Sequence, residues 1–188
     1  MKGEYESPVE KATYLLGIDC SGIGEDYTAV VVLKKLGNKL SLVKLYRKRK
    51  ETSDYHIYQI RQIINEYKPQ TVAIEVTGGT GQVYLEQLSK AHPKIAFETI
   101  KTTRDTKPTM VDRLKLALEK GELSYPAKCP LVDELLSFRR EGRKLQAASG
   151  KHDDVLMATC FAITVTEDSK ETWDFSSVRK VNTENYFQ

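Results

Sequence analysis

Apolar and polar positions alternate at the start of the chain in a way that predicts three consecutive β-strands. A buried strand is expected over residues 14–19, a second from about Tyr27 to Lys34, and a half-buried third over residues 40–46. Gly37 and Asn38 lie between the last two strands and tolerate the positive φ angles of a hairpin turn. The opening pattern therefore predicts an antiparallel meander.

Helical periodicity and short strands alternate after this meander. A stripe of isoleucines predicts a helix that is capped by Ser53 or Asp54 and is stopped by Pro69. We predict strands over residues 71–75 and 94–99, helices over residues 82–91, 108–119, 130–138 and 153–166, and a basic loop over residues 139–151. Strands separated by helices become parallel neighbours. The order predicts an α/β fold, with a mixed sheet and helices on both faces.

Length and composition are those of one globular domain, with 188 residues of which 40% are hydrophobic. We assign residues 14–168 to this domain, residues 1–13 to a loose lead-in, and residues 169–188 to a C-terminal tail. The end of the tail, TENYFQ, resembles the remnant of a protease tag. Three distant cysteines without a CxxC pair argue against a disulfide framework and against a zinc site. No apolar run reaches membrane-spanning length, so no membrane contact is expected.

Acidic residues end two of the predicted core strands. Asp19 follows the first strand and Glu75 follows the strand over residues 71–75, and ligand sites of open α/β sheets lie outside such strand ends. Asp153 and Asp154 open the last helix, which must pack on the same sheet. Converging carboxylates need a cation, and all-oxygen ligands suit one or two Mg²⁺ or Mn²⁺ ions. Such ions hydrolyse phosphodiesters, so the pattern indicates a metal-dependent catalytic site at these four residues.

Each of these residues also has an ordinary interpretation. An aspartate after a strand is commonly a turn residue, and acids at a helix start interact favourably with the helix dipole. His152 is either a metal ligand or general base, or a residue that orients its loop, and Asp26 is either a turn acid or an outer contact of the metal site. The glycines of residues 77–81 either give clearance beside Glu75 or cradle a phosphate.

Three segments together resemble a known family. They are GIDCSGIGEDYTAVVVL, VAIEVTGGTGQVYLEQL and GKHDDVLMATCFA, and the likeness covers residues 14–166. This chain resembles the nuclease domain of the large subunit of tailed-bacteriophage terminases, in the ribonuclease H-like superfamily that also includes Holliday-junction resolvases. The resemblance implies that Asp19, Glu75 and Asp153 or Asp154 bind metal, and that double-stranded DNA is the substrate.

The resemblance also implies a biological setting. Full-length members carry an N-terminal ATPase motor and engage a small terminase subunit and a portal, in the cytoplasm of an infected bacterial host. This chain has no Walker A sequence. It therefore resembles an isolated nuclease domain, expected to cut DNA without pumping it.

Basic residues are the expected contacts to DNA phosphates, which are independent of base sequence. The hairpin of the meander offers Lys34, Lys35, Lys39, Lys44 and Arg47. Further candidates are Arg104, Lys107 and Arg113. The favoured group precedes the acidic pair in sequence and comprises Arg139, Arg140, Arg143 and Lys144.

Other functions fit parts of the pattern. A Holliday-junction resolvase or a ribonuclease H would use the same acids on another substrate, and a non-catalytic DNA-binding module would use them only for structure. Half of a sugar-kinase or actin-like ATPase also begins with a strand, an aspartate and a hairpin, but it needs a second large domain that 188 residues do not provide.

Overall fold

A seven-stranded mixed sheet forms the centre of the computed structural model, which describes residues 2–21, 26–142 and 144–166. Its strands are β1 (Lys2–Gly3), β2 (Thr13–Asp19), β3 (Thr28–Leu36), β4 (Lys39–Lys48), β5 (Thr71–Glu75), β6 (Ala96–Ile100) and β7 (Leu123–Pro126). Their spatial order is β1-β7-β4-β3-β2-β5-β6. Strand β3 is antiparallel to both of its neighbours, and every other pairing is parallel. The predicted meander and parallel additions are confirmed.

Helices cover both faces of this sheet, as the alternating pattern predicts. They are α1 (Ser53–Tyr67), α2 (Thr80–Ala91), α3 (Thr106–Glu119), α4 (Pro130–Ser137) and α5 (Asp154–Thr164). Apolar residues of α1 and α2 pack on one face, and those of α3, α4 and α5 pack on the other. Within the described residues, no helix has the length and apolarity needed to cross a bilayer.

The N-cap of α1 is Thr52 rather than Ser53 or Asp54. Thr52 has extended backbone angles, and its hydroxyl oxygen accepts a hydrogen bond from the Tyr55 N–H at 3.3 Å. Three neighbouring residues can all cap a helix chemically. The backbone angle at which the chain enters the first turn decides among them, and the sequence pattern does not encode that angle.

The segment predicted as a basic loop is partly a β-hairpin. Strand β8 (Phe138–Glu141) pairs antiparallel with β9 (Lys144–Ala147). This prediction was wrong because both strands are only four residues long, and most of their residues are polar. Strand β7 was also not predicted, since its four residues gain their order from pairing with β4.

The N-terminal segment is tied to the sheet, in contrast to the loose lead-in that we predicted. Strand β1 pairs with β7, and the Glu6 N–H donates to the Val43 carbonyl at 3.0 Å. The Tyr67 hydroxyl donates to the Glu6 carbonyl at 2.6 Å. These contacts satisfy backbone groups that an unattached segment would leave to water. The predicted tail over residues 169–188 lies outside the described residues.

Helix α5 packs directly on β2 because Gly17 has no side chain. A Cβ atom at Gly17 would lie 1.8 Å from the Ala158 carbonyl oxygen and 2.7 Å from the Ala162 nitrogen, both in the backbone of α5. Real Cβ atoms do not approach backbone so closely, so this contact requires glycine. The close approach fixes the position of α5 over the strand that ends at Asp19.

We expect Gly17→Ala to lower the free energy of unfolding by about 1–3 kcal/mol, because α5 would have to move off β2. Urea denaturation of the full chain measures this change. Gly37→Ala is the matched control, since a Cβ there meets nothing within 4 Å and carries only the strain of a φ of +59°. Equal losses in the two variants would contradict the packing explanation.

Candidate metal centre

Two acidic side chains lie at the carboxyl ends of adjacent parallel strands. Asp19 is the last residue of β2 and Glu75 is the last residue of β5, in a register that pairs Ile18 with Ile74. Side chains alternate along a strand, so both acids lie on the face that α5 covers. Glu75 is 8% exposed. A rigid sheet edge therefore holds both carboxyl groups beside one another.

The start of α5 brings two further acids to this edge. Asp153 is the N-cap residue of α5 and Asp154 is its first residue. The pKa of Asp19 is raised well above its ordinary value, first by burial and then by the charges of Asp154, Glu75 and Asp153. The charges of the other three acids thus act on the carboxyl group of Asp19 at this edge of the sheet.

Lys107 supplies a positive charge among these acids. Its Nζ donates to Asp153 Oδ2 at 2.7 Å, and its charge lowers the pKa of Asp19. Lys107, which the sequence analysis predicts to contact DNA, lies in the first turn of α3 and faces these carboxylates. Within residues 2–21, 26–142 and 144–166, no three His, Cys, Asp or Glu side chains form a group that could hold an ion as placed.

Asp154 carries a buried carboxylate oxygen that lacks a hydrogen-bond partner. This oxygen, Oδ2, lies 3.6 Å from His152 Nδ1. Burial and the charge of Asp153 raise its pKa to about 6, against the opposing effects of His152 and Arg47. Asp26 is exposed, but its charge also raises the pKa of Asp154. An unpaired carboxylate oxygen fits a hard divalent cation such as Mg²⁺ or Mn²⁺.

A buried carboxylate that we did not predict lies behind this cluster. Glu134, in α4, is 4% exposed, and its Oε2 accepts a hydrogen bond from the Leu156 N–H at 2.8 Å. Its Oε1 lies 3.5 Å from the guanidinium of Arg47. Burial raises the pKa of Glu134 to about 7. The available signal was an acid three residues after the buried Leu131, on the apolar face of a short helix.

The basic candidates outside the meander divide into several groups. Arg104 and Lys144 line one groove of about 510 Å³, together with Asp105 and Glu141, between the start of α3 and the β8–β9 hairpin. Arg139 and Arg140 are exposed on β8, and Arg139 Nε donates to Glu141 at 2.7 Å. Arg113 is half-buried in α3, and Arg143 lies outside the described residues.

Lysines of the β3–β4 hairpin lie away from the acids. Lys35 pairs in register with Thr13, at the opposite end of β2 from Asp19, and its Nζ donates to the Thr166 carbonyl. Lys39 donates to the Gly121 carbonyl, while Lys34 and Lys44 form ion pairs with Glu6 and Glu66. These four lysines therefore do not surround the candidate site. Arg47 lies near the candidate site, because it pairs with Ala29, the residue that pairs with Asp19.

The sheet order and the acidic strand ends define a ribonuclease H-like domain. A family model described as "Terminase RNaseH-like domain" matches residues 16–165, and this chain belongs to that family. The large terminase subunit of Thermus virus P23-45 is 26% identical over 159 residues, which cover 82% of this chain and 32% of that protein. The chain thus spans about a third of the length of this curated relative.

Solved structures show the same fold. The large terminase nuclease from the thermophilic phage G20c aligns with a TM-score of 0.77 at 21% identity, over 89% of this chain and 94% of that one. The nuclease domain of the large terminase from Thermus phage P74-26 aligns with a TM-score of 0.70 at 21% identity, over 86% and 88% of the two chains.

We expect the charge of Glu134 to make stability depend on pH. Its folded-state pKa of about 7 exceeds the ordinary value of 4.5, so the stability it contributes is present below about pH 4.5 and is lost as the pH rises through 7. Glu134→Gln imitates the neutral form beside Arg47, Asp154 and the Leu156 N–H. The variant should exceed the parent in unfolding free energy at pH 8 by up to about 3 kcal/mol.

Urea denaturation in EDTA at pH 4.5 and pH 8 measures this difference. Asp133→Asn is the control, because Asp133 is exposed on the same helix and undergoes the same change of charge. A Glu134→Gln variant that gains no stability over the parent between the two pH values would contradict the prediction.

Proposed function

We propose that this domain is a divalent-metal-dependent endodeoxyribonuclease, the nuclease part of a phage DNA-packaging terminase large subunit. The main support is the gathering of four carboxyl groups at the carboxyl ends of β2 and β5, in a member of the terminase family. The related G20c nuclease has been solved with bound magnesium, cobalt and zinc. Divalent ions therefore bind to a protein of this fold.

Asp19, Glu75, Asp153 and Asp154 would hold one or two Mg²⁺ or Mn²⁺ ions. Bound ions of this kind activate water and neutralise the charge that develops on a phosphodiester. Asp19 and Glu75 are fixed by the sheet edge, while Asp153 and Asp154 are carried by the start of α5. Within the proposal, Lys107 neutralises Asp153 in the absence of an ion.

His152 and Asp26 act on the site through Asp154. The imidazole of His152 lies 3.6 Å from the Asp154 carboxylate. The rings of His152 and Tyr27 form a T-shaped contact, with centroids 4.8 Å apart. These contacts orient the imidazole beside the acid. We propose that His152 and Asp26 tune the charge of Asp154 without binding the ion themselves.

The full-length protein is expected to contain more than this domain. The domain aligns with 43% of the large terminase from the thermophilic phage D6E, which has also been solved with ATP-γ-S and with ADP. We propose that an ATPase motor accompanies the nuclease here too. A small terminase subunit and a portal would be its partners, in the cytoplasm of an infected bacterium.

Double-stranded DNA is the proposed substrate. Arg104 and Lys144 face one groove from two different elements, and Arg139 and Arg140 extend the basic surface along β8. Such an arrangement suits phosphates of a backbone that passes between α3 and the hairpin. Lys107, Arg113 and Arg143 remain candidates for the same contact.

Replacing Asp19 with asparagine should reduce plasmid cleavage in Mn²⁺ by at least about 100-fold, since even outer residues of metal sites cost 10–100-fold. The fold should persist, because asparagine has the same shape. Nicking of supercoiled plasmid measures the activity, and Asp112→Asn, on the exposed side of α3, is the control. Undiminished nicking by Asp19→Asn would refute the proposed site.

The same assay separates the alternative functions. A linear duplex, a four-way junction and an RNA–DNA hybrid are compared at equal Mn²⁺. Preferential cleavage of the junction indicates a resolvase, and preferential cleavage of the hybrid indicates a ribonuclease H. Binding of all three without cleavage indicates a DNA-binding module.

Arg104→Gln and Lys144→Gln should each weaken duplex binding to a similar degree for every DNA sequence. Each should also reduce the slope of log K against log salt concentration by about one phosphate contact. Fluorescence anisotropy in EDTA measures binding without cleavage. Lys39→Gln removes the same charge at the far end of the sheet, and an equal effect of this control would argue against the groove.

A further inference from the structure

We propose that Glu134 is a positioning residue for the candidate metal centre, which fixes the first turn of α5 and holds Arg47 away from Asp154. The proposal rests on the function proposed above and adds a residue outside the predicted ligand set. Glu134 comes from α4, a different helix from the one that it orders. The geometry of two separate contacts supports it.

The first contact replaces the usual N-terminal cap of α5. The N–H groups of a first helical turn need partners, and an aspartate at the N-cap commonly supplies one. Here the side chain of Asp153 makes no capping hydrogen bond, and its Oδ2 binds Lys107. Glu134 Oε2 accepts from the Leu156 N–H instead, at 2.8 Å. The start of α5 is therefore capped without the carboxylates of Asp153 and Asp154, and Asp153 Oδ2 contacts the Lys107 ammonium instead.

The second contact concerns Arg47. Arg47 lies in the row of paired residues that runs from Asp19 through Ala29 to β4. Its guanidinium stacks over the Tyr27 ring, with Cζ 3.5 Å from the ring centroid, and lies 3.5 Å from Glu134 Oε1. Its charge also acts on Asp154. The charge of Arg47 thus acts on two carboxyl groups, and it is with the Glu134 carboxylate that Arg47 forms an ion pair.

Removal of the Glu134 charge would change which carboxylate pairs with Arg47. Glutamine retains an oxygen that can accept from the Leu156 N–H, but its amide offers Arg47 no negative charge. Asp154 would then be the remaining carboxylate for Arg47, and an arginine paired with Asp154 competes with a divalent ion for the same oxygen atoms. Glu134 therefore protects the ion-binding capacity of Asp154.

The test uses the full chain and Mn²⁺ itself. Electron paramagnetic resonance of free Mn²⁺ gives the binding midpoint, and nicking at a series of Mn²⁺ concentrations gives the activity midpoint. Glu134→Gln should raise both midpoints about 10-fold, with the activity restored at saturating Mn²⁺. Glu134→Ala should raise them further and also speed amide hydrogen exchange at Leu156 in EDTA, because the cap is lost.

The double variant Glu134→Gln with Arg47→Met should return the midpoint towards that of the parent, because the competing cation is gone. Asp133→Asn should leave all midpoints unchanged. Parent-like Mn²⁺ midpoints in Glu134→Gln, or no rescue in the double variant, would overturn the inference. Mn²⁺ binding by the parent without any cleavage would instead refute the proposed function alone, since the binding midpoints still test Glu134.

Discussion

The contact of α5 with β2 at Gly17 determines where the acidic side chains meet. Because the helix backbone rests directly on the strand, the first turn of α5 reaches the edge at which β2 ends in Asp19. Helix α2 makes a similar close contact with the end of β5, since a Cβ at Gly81 would lie 1.7 Å from the Glu75 carbonyl oxygen. Two glycines thus let helices from opposite faces approach the same edge. Like charges brought together in this way repel, and the packing of α5 must oppose that repulsion.

Two cationic side chains, Lys107 and Arg47, reduce this repulsion in different ways. Lys107 binds Asp153 directly through a single ammonium on a flexible stem, and its side chain is half-buried. Arg47 is held by a ring below it and a buried carboxylate beside it. An incoming metal ion would therefore displace Lys107 from Asp153 and leave Arg47 in place.

Much of the fold could be predicted from the sequence, because apolar periodicity encodes buried faces. The meander, the helices on both faces and the positions of Asp19, Glu75, Asp153 and Asp154 at element ends all follow from local patterns. The β8–β9 hairpin could not be predicted because its strands are short and mostly polar, and β7 could not be predicted because its order comes from pairing with the distant strand β4. Glu134 and Arg47 were missed as a pair for the same reason, because 87 residues of chain separate them.

The buried carboxylate of Glu134 lowers the stability of the fold while it serves the candidate metal centre. A neutral or apolar residue would fill the same space between α4 and α5 at lower electrostatic cost. The ionised carboxylate is unfavourable there, as its raised pKa shows, yet it is the form that binds Arg47 most strongly. A residue that weakens the folded state while it controls the cation beside Asp154 is better explained by the chemistry of the sheet edge than by packing. Stability is often given up in this way where an active site needs buried charge.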